Sequence, residues 1–126
     1  MGLRIKVTHD GLKNASVQIT GSGAFDWTNA VFPTDLTPSP KHFKIDAVYY
    51  SISDGVELQL AWKAEKDHHP VLALGGRGKL DFAEVGGCHT TANGETVGIE
   101  FRTLNAKSKD QIFTLILDLS KHVGER

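Results

Sequence analysis

The chain has 126 residues, with 14 Lys plus Arg against 15 Asp plus Glu and a net charge of -1, a size at which one domain can bury a core without disulfides or metal. Phosphate binding needs clustered cations and these 14 form no run, so no nucleic-acid partner is expected. The single cysteine, Cys88, excludes an intramolecular disulfide and a multi-cysteine zinc site, and no apolar run approaches the roughly 18 residues that span a bilayer, so no membrane partner is expected either.

Period-two patterns run along the chain and no segment sustains apolar residues at helical spacing, which predicts an all-β domain. The opening MGLRIKVTHDG has no apolar h-region, and Lys6 stands where a myristoylation signal needs Ser or Thr; the chain is expected to stay in the cytoplasm where it is made. Leu3, Ile5 and Val7 alternate, His9 to Gly11 is a turn signal, and Ala15, Val17 and Ile19 alternate again, a first hairpin. Gly21 to His42 carries three prolines and reads as loop with one short strand around Asp26 to Phe32. FKIDAVYYSI (43 to 52) and VELQLAW (56 to 62) flank Asp54-Gly55, a hairpin signal because those residues tolerate positive φ. On the second of these strands Val56, Leu58, Leu60 and Trp62 face in, and Glu57, Gln59 and Ala61 face out. Shorter strands are expected at 71 to 74 and 79 to 82, followed by 96 to 103, with Val97, Ile99 and Phe101 on one face, and by 111 to 119. About eight mainly antiparallel strands at this spacing predict a single-domain β-sandwich or jelly roll over residues 1–126, and the 13 glycines are accounted for first by its turns.

The stretch AEKDHHPVLALGGRGKLDF (64 to 82) has the look of a site. A phosphate loop needs Gly-Lys followed by Ser or Thr at the start of a helix, whereas Gly78-Lys79 is followed by Leu80 and a strand pattern. GGRGK also lacks the dinucleotide spacing. Asp67-His68-His69 precedes Pro70 and reads as a connecting loop, and neighbouring side chains on an extended chain diverge, so the two imidazoles are not expected to share an ion. The same divergence separates Cys88 from His89 as a thiol and base. Asp46, Asp54, Asp81 and Glu84 could pair as acid and base, but spacing selects no two of them. No catalytic, cofactor-binding or metal-binding residue and no small-molecule substrate are therefore expected. Trp27, Phe32, Tyr49, Tyr50 and Trp62 could form a sugar platform or a protein interface. Trp62 is in phase with Leu58 and Leu60, which assigns it to the core; Trp27 and Phe32, on a loop-like stretch, are either a lid over the core or anchors in a partner.

From Phe43 onward the order KIDAVYYSISDGVELQLAWKAEKDHHP, LALGGRGKLDFAEVGG, TVGIEFRT and a closing hairpin KSKDQIFTLILDLSK resembles small virion structural proteins of tailed bacteriophages, of the head decoration or auxiliary capsid kind. Lys63 departs from that pattern, where an acid would follow the tryptophan. The resemblance covers well over half the chain. It implies a non-enzymatic virion protein, made in the host cytoplasm, present as a homo-oligomer or in many copies, and bound between major capsid protein subunits or to other virion proteins. It carries over no catalytic residue and no cofactor. A cement protein presents an edge strand and long loops to its neighbours, and weak contacts gain strength by repetition. Leu3 and Ile5 on the N-terminal strand, with Trp27 and Phe32 on the long loop, are thus the expected interface residues. The alternatives are a carbohydrate-binding or receptor-binding β-sandwich module of a phage tail or secreted protein, and a small β-sandwich enzyme.

Overall fold

The computed structural model describes residues 2–32, 35–37, 42–64, 68–82 and 96–122; Asp67, Glu84 and the Cys88-His89 pair lie outside them. The described backbone forms nine strands: β1 (Leu3–Asp10), β2 (Asn14–Ser22), β3 (Thr28–Val31), β4 (His42–Ile52), β5 (Glu57–Ala64), β6 (His68–Leu74), β7 (Arg77–Asp81), β8 (Thr96–Leu104) and β9 (Ile112–His122). They make a five-stranded sheet in the order β1-β2-β9-β4-β7 and a four-stranded sheet in the order β3-β8-β5-β6. Every pairing is antiparallel.

The pairs β5 with β6, β4 with β7, β3 with β8 and β2 with β9 are concentric about the connection at 65–67, and successive pairs fall in alternate sheets. This is a jelly roll, one long antiparallel hairpin rolled on itself. Contacts of β4 with β9 and β5 with β8 complete the two sheets. β1 is an addition, paired only to β2 at one edge.

Two expected hairpins are therefore corrected. Asp54-Gly55 does form a turn, with the Val56 N–H donating to the Ser53 carbonyl at 3.2 Å, but it joins β4 in one sheet to β5 in the other. Gly55 has φ +83° and Asp54 does not share the positive sign. A positive φ at the third turn position alone is the type II pattern, whose twist does not match two paired strands, whereas type I′ needs it at both central residues. KSKDQIFTLILDLSK likewise is no hairpin: it is the crossing from β8 into β9, and β9 lies in the middle of the five-stranded sheet. His68 to Pro70, expected as loop, belong to β6. The proline is tolerated because β6 is an edge strand and the β5 register slips beside it, between Leu60 and Ala61. The β1–β2 hairpin is as expected, closed by the Gly11 N–H donating to the Asn14 carbonyl at 2.8 Å.

The core follows from alternation. Ala15, Val17 and Ile19 of β2, Phe113, Leu115, Leu117 and Leu119 of β9, and Leu58, Leu60 and Trp62 of β5 are all buried between the sheets, each large side chain contributing about 1.5–3 kcal/mol. β4 changes phase: a bulge at Asp46 puts Ile45 inside before it, and Val48 and Ile52 inside after it. Phe25, Phe101 and Phe113 meet with centroids 5.6–5.9 Å apart. Gly21 opposite Phe113 has no room for more: a Cβ there would lie 2.5 Å from the Phe113 Cζ. Ala61 differs from expectation. It points outward by alternation, yet it is buried beside its register partner Glu100, which is buried as well.

Candidate functional site

β1 repeats the alternation of β2 without its burial. In the register, Ile5 stands opposite Ile19 and Val7 opposite Val17, so Leu3, Ile5 and Val7 lie on the core side of the sheet. The facing sheet has one strand fewer, and β1 is the strand without a counterpart. Leu3, Ile5 and Val7 are accordingly 38%, 38% and 37% exposed, against 0% for Val17 and Ile19.

The open side of β1 can be read from one bond. The Ser22 N–H donates to the Gly2 carbonyl at 3.0 Å, which makes Gly2 and Ser22 a hydrogen-bonded pair, and such pairs alternate along an antiparallel ladder. Arg4 with Thr20 and Lys6 with Gln18 are then bonded pairs as well. The N–H and C=O groups of Leu3, Ile5 and Val7 point away from β2, on the side that no described strand pairs. The register slips between Val7 and His9, so the regular edge runs from Leu3 to Val7.

The far end of β1 is tied down. The Lys121 ammonium, on a fully buried side chain, is 2.5 Å from Asp10 Oδ1 and donates to the Thr37 carbonyl at 3.1 Å. Asp10 Oδ2 accepts the Thr37 N–H at 2.8 Å. The Lys121 hydrogen bond, then that of Thr37, holds the Asp10 carboxyl below the usual carboxylate range.

Trp27 and Phe32, the other two expected interface residues, sit elsewhere. Both are half-buried on the outer face of the four-stranded sheet, at opposite ends of the β8 row Gly98, Glu100, Arg102. The Arg102 guanidinium lies 4.7 Å from the Trp27 ring centroid and its Nε donates to Gln59 at 2.8 Å, while the Phe32 ring fills the space that glycine leaves at 98. The Lys63 ammonium is 3.9 Å from Glu100, so the cation that departs from the phage pattern faces an acid across the strands. Tyr49 is on the outer face of the other sheet, with the Lys79 ammonium 5.1 Å from its ring centroid. Trp62 is core, as expected.

That other face also holds a groove of about 380 Å³ lined by Asn14, Ser16, Asp46, Tyr49, Asp81 and Asp118 among others. Sequence spacing paired no two carboxylates; the β4 bulge and the β2–β9–β4–β7 order bring Asp46, Asp81 and Asp118 together, and Asp118 was not among the candidates. The Ser16 hydroxyl donates to Asp118 at 2.8 Å and Ser120 donates to Asp46. His9 stands across from Ser16 in the register, but its Nε2 is turned over Gly11. The arrangement pairs hydroxyls with carboxylates directly, with no imidazole between them. Among the described residues no group of three His, Cys, Asp or Glu is placed to hold a metal ion.

No protein-family model and no curated protein matches the chain. Among solved structures it is similar to a cupin domain from Bordetella pertussis Tohama I, at 10% identity over 97% of this chain and 95% of that one, with a TM-score of 0.40. It is similar also to Peruvianin-I, a cysteine peptidase from Thevetia peruviana latex, at 11% identity over 95% of this chain and 62% of that one, TM-score 0.42. A cupin-2 domain protein from Shewanella frigidimarina NCIMB 400 gives 12% identity over 90% of this chain and 78% of that one, TM-score 0.30. At these scores the likenesses carry no argument about activity, and the jelly roll rests on the strand order itself.

Proposed function

We propose that this protein is a non-enzymatic virion structural protein of the capsid decoration kind, which docks between neighbouring major capsid subunits and works in many copies. The observation that supports the reading is the β1 edge: an apolar row, Leu3, Ile5 and Val7, more than a third exposed beside backbone groups that no described strand pairs. Such an edge invites another chain. Jelly rolls serve both shells and sugar binding, and the surface supports the first. A sugar platform would need the aromatics in one exposed strip, whereas Trp27 is covered by Arg102, Phe32 lies against Gly98, and Tyr49 is on the other sheet.

The test is co-sedimentation with assembled shells. A module that touches several neighbours gains effective concentration only while a lattice holds them in place. Saturable binding to shells, at a fixed ratio and much tighter than to dissociated capsid subunits, is expected. Replacing Leu3, Ile5 and Val7 together by Ser should weaken it while far-ultraviolet circular dichroism stays that of the folded chain. Equal binding to subunits and shells would count against the lattice mechanism. No shell binding, together with saturable retention on an oligosaccharide surface, would hand the protein to the carbohydrate reading.

A further inference from the structure

We propose that the β1 edge is completed by an extended segment of the partner protein that alternates apolar and acidic residues, added as a further antiparallel strand. The inference rests on the docking reading above and names what docks.

Four strands end the two sheets: β1 and β7 in one, β3 and β6 in the other. Proteins blunt exposed edges with short strands, prolines, bulges and charged side chains; three of the four are short or carry a proline, whereas β1 has a slip beyond Val7 and two cations, Arg4 and Lys6. β3 has four residues and a register slip, β7 has five residues, and β6 carries Pro70 next to a slip. β1 has eight residues, no proline, and a regular edge from Leu3 to Val7. Among the described side chains of the four, it alone offers a row of exposed apolar residues on the core side.

The outward side of the same strand selects the occupant. Arg4 and Lys6 are exposed there, stand opposite neutral Thr20 and Gln18, and make no ion pair among the described residues. A second copy in the fully overlapped antiparallel register, centred on Ile5, would set Arg4 against Lys6 from each side, like charges directly opposed. A strand with carboxylates at those positions would find two cations instead, and its apolar residues would lie on the core side beside Leu3, Ile5 and Val7. Main-chain bonds would come from the outward groups of those three residues, the usual mode of strand addition.

The full chain is titrated with a short capped peptide alternating valine and glutamate, and with its valine–lysine counterpart, while backbone amide exchange is followed by NMR. The glutamate peptide should slow exchange at Leu3, Ile5 and Val7 by about ten-fold or more, and the lysine peptide should not. Arg4→Glu with Lys6→Glu should reverse that preference. Ile5→Pro removes an outward N–H that β2 does not use; it should abolish the protection at Leu3 and Val7 without changing the thermal melt. Equal protection by both peptides, protection by neither, or protection that appears with protein concentration alone would overturn the proposal. Shell binding by the same variants separates the two readings. If the charge-reversed chain binds shells as wild type does, the acidic strand falls and the assembly role stands; if wild type ignores shells yet keeps the peptide preference, the reverse holds.

Discussion

Asp10→Ala and Lys121→Met break the same ion pair, and they should differ several-fold in cost. The Lys121 side chain is fully buried and its ammonium is held by Asp10 and the Thr37 carbonyl, while the Asp10 side chain is 25% exposed and also takes the Thr37 N–H. Removing the carboxylate takes the ion-pair partner from a buried ammonium that keeps the Thr37 carbonyl, about 3 kcal/mol, the low end of the range for breaking a buried pair. Lys121→Met keeps an apolar stem in the space and leaves a carboxylate that water and the Thr37 N–H can serve, so it should cost about 1 kcal/mol. The double variant should lie near Lys121→Met alone. Urea unfolding at neutral pH reads all three as midpoint shifts at constant slope. The acid limb is a second readout. Asp10 has a folded pKa below its unfolded value of about 3.9, so its contribution is complete above that value and is lost as pH falls through the folded one. Wild type should therefore lose stability below about pH 4 more steeply than Asp10→Ala. Equal costs for the two single variants, or superimposable acid limbs, would refute the reasoning.

Trp62→Ala should cost about 3–5 kcal/mol, since it removes the largest buried side chain of β5; a well-folded variant that had lost only partner binding would move Trp62 from core to interface. Gly21→Ala should cost about 1–3 kcal/mol by thermal melt, and Phe113→Leu in the same chain should recover part of it, because the clash is with that ring. Gly98→Ala should cost more than Gly21→Ala, since the added methyl would meet the Val31 carbonyl at 2.6 Å as well as the Phe32 ring, and backbone yields less readily than a side chain; the reverse order would show that β3 shifts easily. Arg102→Ala removes the cation above Trp27 at about 0.5–1 kcal/mol, and a Trp27 emission unchanged between the two chains would mean the stacking is not kept in solution.

Strand positions were legible because side chains two apart share a face, which held along β2 and β9; it broke at the Asp46 bulge of β4, at Ala61, and at His68 to Pro70, which read as loop. Sheet membership was not. Asp54-Gly55 has the composition of a hairpin turn, and only the sign of φ at Asp54 distinguishes a turn that pairs its strands from one that sends them to opposite sheets. Nor does alternation tell core from edge. Leu3, Ile5 and Val7 read like Ala15, Val17 and Ile19, yet the first row is exposed and the second buried, a difference set by how many strands face each sheet. Trp27 and Phe32 were legible as aromatics on a loop, but their covers, Arg102 and the space at Gly98, come from β8. The bond from Ser16 to Asp118 spans 102 residues, and no local signal announces it.

The concentric pairing also sets an order of events in folding. When β5 meets β6 the chain closes a short loop, and each pair formed shortens the loop that the next must close, from β4 with β7 out to β2 with β9; since closure entropy grows with the length still open, the inexpensive route runs outward from residues 65–67. The outermost pairing joins Asn14 to Ser120, a separation that places the domain among slow-folding, high-contact-order proteins. Weakening β5 against β6 should then slow refolding, while weakening β2 against β9 should mainly hasten unfolding. β1 stands outside this order, since its hairpin with β2 closes over residues 11–13 alone.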